Sequence, residues 1–414
     1  MEVEIGRGKK ARRAYGFDDI AIVPSRRTRD PDDVDISWTL GPYRFELPLL
    51  ASAMDGVVSP ETAGITGRLG GLAVLNLEGI WSRYEDADAM LERIAGLERE
   101  EATREMQDIY QEPVKEELIV RRIQEIKAHG VVAAASLTPQ RVERHYELVL
   151  DAGLDILVIQ GTVISAEHVS TQGHVLNLKE FVAELPIPVI VGGCASYHTG
   201  LHLMRTGAAG VLVGVGPGAA CTTRGVLGIG VPQATAIADV AAARSQHMLE
   251  TGEYCKVIAD GGMRNGGDVA KAIACGADAV MIGSPLARAY EAPGHGFHWG
   301  MATFHSSLPR GARVQTTQNG SMEQILLGPA HENDGTFNLM GSLRTSMATC
   351  GYSDIRDFQR AEVMVAPSLQ TEGKQLQRDQ AIGMGAQSAA RAAPASDGVT
   401  NGSGPAMADP ALVE

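Results

Sequence analysis

The sequence predicts an α/β fold, a (β/α)8 TIM barrel with a helical crossover after strand two and a long flap after strand eight. Eight short and almost wholly apolar runs recur along the chain, which is typical of strands buried on both faces. Gly153, Gly207 and Gly276 precede such runs, where a helix C-terminus favours glycine. Eight such units in roughly 250 residues match the size of this barrel. An open doubly wound sheet is the alternative.

The predicted strands are Leu49–Ala53, Leu72–Leu75, Val131–Ala135, Ile156–Ile159, Pro188–Val191, Val211–Val213, Val257–Ala259 and Ala279–Ile282. Two segments interrupt the repeat. Residues 81–128 are rich in Glu and Arg at helical spacing and are divided by Pro113, which predicts a crossover of one or two exposed helices. Residues 294–338 are polar with little apolar periodicity, which predicts a mobile flap.

A single domain is predicted over residues 1–385. Residues 386–414 are Ala-, Ser-, Gly- and Pro-rich and are predicted to be a disordered tail, because they bury too little apolar surface to offset their ordering entropy. The sequence contains no run of about 18 apolar residues and no signal-peptide pattern, so we expect a cytoplasmic protein without a membrane span. The formal net charge of −14 opposes nucleic-acid binding.

The ends of predicted strands six, seven and eight carry glycine-rich loops, at Gly214–Arg224, Asp260–Gly262 and Gly283–Ser284. In a barrel these loops converge on one face, and the last two commonly bind phosphate. We therefore expect a phosphorylated substrate.

The five cysteines lack close metal-ligand spacing and are expected to be free thiols. Cys221 differs from the others because it follows a strand and lies among flexible residues, where a thiolate can attack a ligand. Thr223 is a candidate proton donor or acceptor beside it, and an ordinary helix N-cap is the alternative for this threonine.

These loops and three further motifs resemble the IMP dehydrogenase and GMP reductase family, most closely its bacterial members without regulatory CBS domains. The similarity extends from Tyr15 to Pro367. The motifs that carry it are Phe17–Pro24, Ala51–Asp55, Gly214–Arg224, Ala259–Arg264, Gly267–Lys271 and Val280–Ser284. The resemblance implies a barrel, a homotetramer or higher oligomer, and binding of a purine mononucleotide (IMP, XMP or GMP) and a nicotinamide cofactor.

The resemblance also implies residue roles. Cys221 is similar to the nucleophile that attacks C2 of the purine, and Thr223 to the proton-relay threonine. The implied substrate-binding residues are Ser52, Met54, Asp260, Gly262, Gly283, Ser284, Gly300 and Met301. The implied cofactor-binding residues, for NAD, are Gln160, Thr162, Gly214 and Gly216. Backbone carbonyls of Gly216, Gly218 and Cys221 would hold a monovalent cation, K+ in the family's manner.

The sequence departs from the family pattern at several positions. Ala219 replaces a serine of the phosphate loop, and His298 stands where a phosphate-binding tyrosine is common. Gln160 replaces an aspartate beside the cofactor, and Cys194 replaces an asparagine. The stretch Ser306–Gly311 lacks the Arg-Tyr pair that activates water in IMP dehydrogenases. It offers Arg310 instead, which we predict acts on water, with a solvated loop arginine as the alternative.

The predicted function is NAD-dependent oxidation of IMP to XMP through a covalent cysteine thioimidate, a step of guanine nucleotide biosynthesis. Two alternatives stay open. The first is NADPH-dependent reduction of GMP, because both activities share the Cys221 loop. The second is a catalytically retired barrel that binds a nucleotide or a partner protein, which Ala219, Cys194 and the missing Arg-Tyr pair favour.

Overall fold

Eight parallel strands close into a barrel in which each strand pairs with its neighbours in sequence and the eighth pairs with the first. The computed structural model describes residues 2–164, 176–300, 312–366 and 374–383. The barrel strands are β1 (Leu49–Ala51), β2 (Leu72–Asn76), β3 (Ala134–Leu137), β4 (Ile156–Gln160), β5 (Val189–Cys194), β6 (Gly210–Val213), β7 (Lys256–Asp260) and β8 (Ala279–Ile282). The predicted barrel is confirmed, and the open sheet is wrong.

Helices surround the barrel. They are α1 (Pro60–Arg68), α2 (Ala87–Ala95), α3 (Arg99–Ile109), α4 (Glu116–Ala128), α5 (Pro139–Asp151), α6 (Leu178–Glu184), α7 (Tyr197–Met204), α8 (Thr223–Leu227), α9 (Gln233–Thr251), α10 (Gly266–Ala274), α11 (Met322–Leu327), α12 (Leu339–Thr349), α13 (Ile355–Phe358) and α14 (Gln375–Asp379). Four antiparallel pairs of short strands lie outside the barrel: Glu2–Gly6 with Lys9–Arg12, Ile20–Ile22 with Val363–Val365, Trp38–Leu40 with Tyr43–Phe45, and Phe297–His298 with Val314–Gln315.

The barrel interior is a packed apolar core. Alternate strand residues such as Leu50, Val158 and Ile258 point inward and are fully buried, as the period of two along a strand requires. Trp38 and Phe45 of the hairpin before β1 join this cluster, with their rings 5.4 Å apart. The hairpin therefore closes the end of the barrel at which the strands begin, and ligands have access from the opposite end.

The helix-to-strand glycines adopt the conformation that the sequence predicts. Gly153, Gly207 and Gly276 have φ values of +87°, +90° and +117°. Only glycine adopts these values without strain, so the helix ends before β4, β6 and β8 are encoded locally.

The crossover between β2 and β3 contains three helices rather than one or two, and they are not simply exposed. Each buries one stripe of apolar side chains while its charged residues face solvent, as with Leu91 and Ile94 of α2 or Ile119 and Ile123 of α4. Pro113 lies between α3 and α4, as the sequence predicts. The many charged residues of this segment make its buried apolar stripes hard to recognise in the sequence.

Part of the predicted flap, residues 294–338, forms regular secondary structure. Within it, α11 buries Met322, Ile325 and Leu326, and its N-terminus is closed by a capping box between Ser321 and Gln324. These three apolar side chains fall on one face of the helix. A helix of six residues is too short to show a repeating apolar pattern in the sequence. Residues 301–311, with Met301 and Arg310, and the predicted tail 386–414 lie outside the described residues. In the described part of the chain, no helix is both long and apolar enough to span a membrane.

Candidate active site

A cleft of about 850 Å3 opens at the end of the barrel where the strands terminate. Its volume is at the upper end of the range for small-molecule sites. Every predicted site residue that the structure describes lines this cleft: Ser52, Met54, Gln160, Thr162, Gly214, Gly216, Gly218, Cys221, Thr223, Asp260, Gly262, Gly283, Ser284 and Gly300. Residues from five different strand ends and the segment near Gly300 therefore meet in one place.

Cys221 presents an exposed thiol to the cleft. Its Sγ lies 3.2 Å from Oγ1 of Thr223, and the thiol donates to the hydroxyl. Thr223 is 2% exposed and is the first residue of α8, whose N-cap is Thr222, so the N-cap interpretation of Thr223 is wrong. The pair places a proton acceptor directly beside the nucleophile.

The other cysteines are poor nucleophiles. Cys194, Cys255 and Cys350 are buried, and Cys275 is half-buried. Burial raises the pKa of Cys194 to about 12 and that of Cys275 to about 11. Cys194 ends β5 inside the apolar core and does not line the cleft. Cys221 is therefore the cysteine best placed to react with a ligand in the cleft.

The loop that carries Cys221 is packed tightly at its start and loosely in its middle. A Cβ atom on Gly214 would lie 2.2 Å from the carbonyl oxygen of Asp260, whereas a Cβ on Gly218 would meet nothing closer than 4.0 Å. Gly216 has φ of +78°. The Gly218 carbonyl accepts a hydrogen bond from the Cys221 N–H at 3.0 Å, which folds the loop into a turn.

This contrast gives a direct test of the loop. We expect Gly214→Ala to lower the free energy of unfolding by about 2–4 kcal/mol, because backbone must move to admit the methyl group. Gly218→Ala, the matched control, should change it by less than about 1 kcal/mol. Denaturant unfolding of both variants measures the difference, and equal stabilities would contradict the packing described.

Asp260 ends β7 at the floor of the cleft. Its carboxylate accepts a hydrogen bond from Nε2 of Gln160 at 3.2 Å, and burial raises its pKa to about 7. Gln233, which the sequence analysis did not single out, donates to the Asp260 carbonyl at 3.1 Å and to the Val213 carbonyl at 2.7 Å. Gln233 thus ties the ends of β6 and β7 together beneath the Cys221 loop.

Gln160, which the resemblance assigns to the cofactor, lines the cleft and donates from its amide to Asp260. Its Oε1 is buried and has no hydrogen-bond partner. The amide therefore holds the carboxylate of Asp260 in place.

The part of the cleft near the ends of β7 and β8 is lined by glycines and by Ser284, which pairs with His298. Gly262 has φ of +85°, which favours glycine, and a Cβ on Gly283 would lie 2.5 Å from Sδ of Met54, so the Met54 side chain would have to shift. Ser284 Oγ lies 2.7 Å from Nε2 of His298. Burial lowers the pKa of His298 to about 4, so this imidazole is neutral near pH 7. His298, which stands where a tyrosine is common in the family, therefore holds the Ser284 hydroxyl in place.

Arg264 and Asp18 also line the cleft, although no site role was assigned to them. Arg264 bonds Asp268 at 3.0 Å and Asp18 at 2.5 Å, which joins the loop after β7 to the N-terminal segment. Both residues fall inside the motifs Phe17–Pro24 and Ala259–Arg264, which is the sequence signal that points to them. Among the described residues, no group of His, Cys, Asp and Glu could hold a metal ion.

The closed barrel and its cleft define a (β/α)8-barrel protein with an exposed cysteine in the loop after the sixth strand. The sequence model for the IMP dehydrogenase / GMP reductase domain matches residues 14–374, and the chain belongs to this family. It is an oxidoreductase of that family.

Relatives of known sequence and structure agree with this assignment. The chain is 48% identical to an oxidoreductase of Mycolicibacterium smegmatis that is named as uncharacterized, over 88% of this chain and 99% of that protein. It is 28% identical to the inosine-5'-monophosphate dehydrogenase of Methanocaldococcus jannaschii, over 88% and 95% of the two chains. The crystal structure of an IMP dehydrogenase/GMP reductase-like protein from Corynebacterium glutamicum superimposes with a TM-score of 0.84 and 46% identity, covering 88% of this chain and 98% of the other.

Proposed function

We propose that the protein oxidises IMP to XMP with NAD, through a covalent intermediate on Cys221. The observation that carries this proposal is the position of the exposed Cys221 thiol, 3.2 Å from a buried threonine hydroxyl, in one cleft with Asp260 and the glycine loops. Covalent capture divides the oxidation and the hydrolysis into two easier steps. The similarity to the Methanocaldococcus enzyme supports the choice of substrate.

In the first step Sγ of Cys221 bonds to C2 of the purine while the C2–N3 double bond opens, and the thiol proton passes by way of the Thr223 hydroxyl to N3. NAD held beside Gln160, Thr162, Gly214 and Gly216 would supply the hydride acceptor, and loss of the hydride from C2 would leave a thioimidate on Cys221. In the second step water adds to C2, the C–S bond breaks, and XMP is released. Thr223 is almost wholly buried, so its hydroxyl is held in one place beside the exposed Cys221 thiol.

The rest of the nucleotide would be held at the two ends of the cleft. A carboxylate such as Asp260 accepts hydrogen bonds from both ribose hydroxyls, and Gln160 fixes its orientation. The backbone N–H groups of Gly262 and Gly283 and the Ser284 hydroxyl would receive the phosphate. Ser52 and Met54 would contact the base and ribose from the β1 side of the cleft.

The remaining contacts belong to the same proposal. NAD would bind beside Gln160, Thr162, Gly214 and Gly216, which line the same cleft. The carbonyls of Gly216, Gly218 and Cys221 would take a monovalent cation, K+ in the proposal. Activation of water by Arg310, binding by Met301, the homotetramer and the cytoplasmic location rest on the sequence alone.

Absorbance at 340 nm tests the direction of the reaction. With IMP and NAD we expect a rise, because NADH absorbs there and NAD does not. With GMP and NADPH we expect no change. A fall in the second mixture without a rise in the first would assign the protein as a reductase, and silence in both would contradict the proposed function.

A further inference from the structure

A chain of buried hydrogen bonds runs from the crossover to two walls of the cleft. Nε1 of Trp299 donates to the hydroxyl of Tyr110 at 2.6 Å, and that hydroxyl donates in turn to Oδ2 of Asp55. Trp299 and Asp55 are each 1% exposed, and Tyr110 is 9% exposed. Buried polar groups bonded in this way fix one arrangement of their neighbours, because breaking a link gives up a buried hydrogen bond.

One end of this chain adjoins the β1 wall of the cleft. Asp55 directly follows Met54, which lines the cleft. Its carboxylate also accepts from the Ile80 N–H at 3.1 Å, and a Cβ on Gly79 would lie 1.9 Å from Oδ1. Asp55 is therefore held closely by the segment that leads into the crossover.

The other end adjoins the phosphate side. Trp299 lies between His298, which is bonded to Ser284, and Gly300, which lines the cleft. The backbones of the two walls also meet directly, since the Gly294 N–H donates to the Gly56 carbonyl at 3.1 Å. In addition to this backbone contact, the Tyr110 hydroxyl fixes the orientation of the Trp299 side chain.

Tyr110 is itself anchored in the crossover. It follows the last residue of α3, and the Arg83 guanidinium lies 5.7 Å from the centre of its ring. Arg83 in turn donates to the carbonyl of Glu112. Neither Tyr110 nor Trp299 lines the cleft, so neither can touch the nucleotide directly.

We propose that Tyr110 is a positioning residue for nucleotide binding: its hydroxyl, held by the crossover, sets the segment His298–Gly300 against the wall formed by Ser52 and Met54. This inference rests on the proposed function, in which Ser284 receives the phosphate. It gives the crossover a role in the active site. The nucleotide affinity then depends on a hydroxyl that lies outside the cleft.

The test compares Tyr110→Phe with Tyr84→Phe in the full chain. Tyr84 also lies in the crossover and donates to the Ile109 carbonyl at 2.8 Å, but its hydroxyl is not bonded to the Asp55–Tyr110–Trp299 chain. Loss of one buried hydrogen bond that supports the phosphate side should weaken IMP binding by about tenfold in Tyr110→Phe. The kcat should stay within about twofold, and Tyr84→Phe should bind IMP as the wild type does.

Calorimetric titration with IMP and with inosine, which lacks the phosphate, separates positioning from general damage. We expect Tyr110→Phe to reduce the preference for IMP over inosine. Trp299→Phe should give the same loss, and the double variant no further loss, because both changes break one link. Equal IMP affinities of the two tyrosine variants, or equal losses for IMP and inosine, would overturn the positioning role. If the wild type bound neither IMP nor GMP, the proposed function itself would fail, and this inference with it.

Discussion

We expect Cys221→Ala to lower the kcat of IMP oxidation by at least about 10³-fold, because the substitution removes the atom that bonds to C2. The affinity for IMP should change by less than about threefold, since Asp260 and the glycine loops remain. The exposed thiol is not part of the apolar core, so the stability of the fold should be unchanged. Steady-state kinetics and calorimetric IMP titration measure the two effects.

Cys275→Ala is the matched control for this variant. Its thiol is half-buried, and burial raises its pKa to about 11, so it contributes little thiolate near pH 7. We expect this control to keep wild-type turnover. Full turnover by Cys221→Ala, or a comparable loss in the control, would remove the basis for covalent catalysis at Cys221.

We expect Asp260→Asn to have opposite effects on binding and on stability. The neutral amide pairs less well with the ribose hydroxyls, so IMP affinity at pH 8 should fall by about 100-fold. The free protein, however, should become more stable at pH 8, by about 2 kcal/mol, because a carboxylate that is costly to bury is replaced by an uncharged group. Weaker binding together with higher stability is the result expected for a residue that serves function and lowers the stability of the fold.

The pH dependence follows from the pKa of Asp260, which burial raises from its usual value to about 7. Since the pKa in the folded state exceeds that in the unfolded state, the group contributes stability below about pH 4 and loses that contribution as the pH rises through 7. The stability difference between variant and wild type should therefore be largest at pH 8 and vanish near pH 4. Thermal unfolding across this range measures it.

Asp239→Asn is the control for that pH profile, because Asp239 forms a surface ion pair with the exposed Arg12. Such pairs contribute little to stability, so the control should follow the wild-type profile and keep its IMP affinity. Wild-type IMP affinity in Asp260→Asn, or a loss of stability at pH 8, would show that Asp260 is a structural carboxylate.

The sequence predicted the architecture well because its signals are local. Fully apolar runs identify the eight barrel strands, and glycines at three helix ends mark where strands follow. The third strand shows the limit, since it is observed at Ala134–Leu137 and not at Val131–Ala135. Apolar composition marks a buried segment, but hydrogen bonding to the neighbouring strands decides where the strand begins.

The sequence predicted which residues line the site, but it did not predict the hydrogen bonds between their side chains. Motif positions brought Cys221, Asp260 and Ser284 to one cleft, because strand ends of a barrel converge. The bond of Gln160 to Asp260 joins residues 100 positions apart, and no spacing rule reveals it. The same holds for Trp299 and Tyr110, which are separated by 189 positions. Long-range contacts of single side chains depend on packing that one sequence does not display.

The most direct test of covalent chemistry at Cys221 is the mass of the peptide that carries this residue after rapid acid quenching of the protein mixed with IMP and NAD. We expect the peptide to gain the mass of a bound nucleotide during turnover and to lose it as XMP forms. In the Cys221→Ala variant no such gain should appear. An unmodified Cys221 peptide throughout turnover, with the label absent or on another cysteine, would contradict the account.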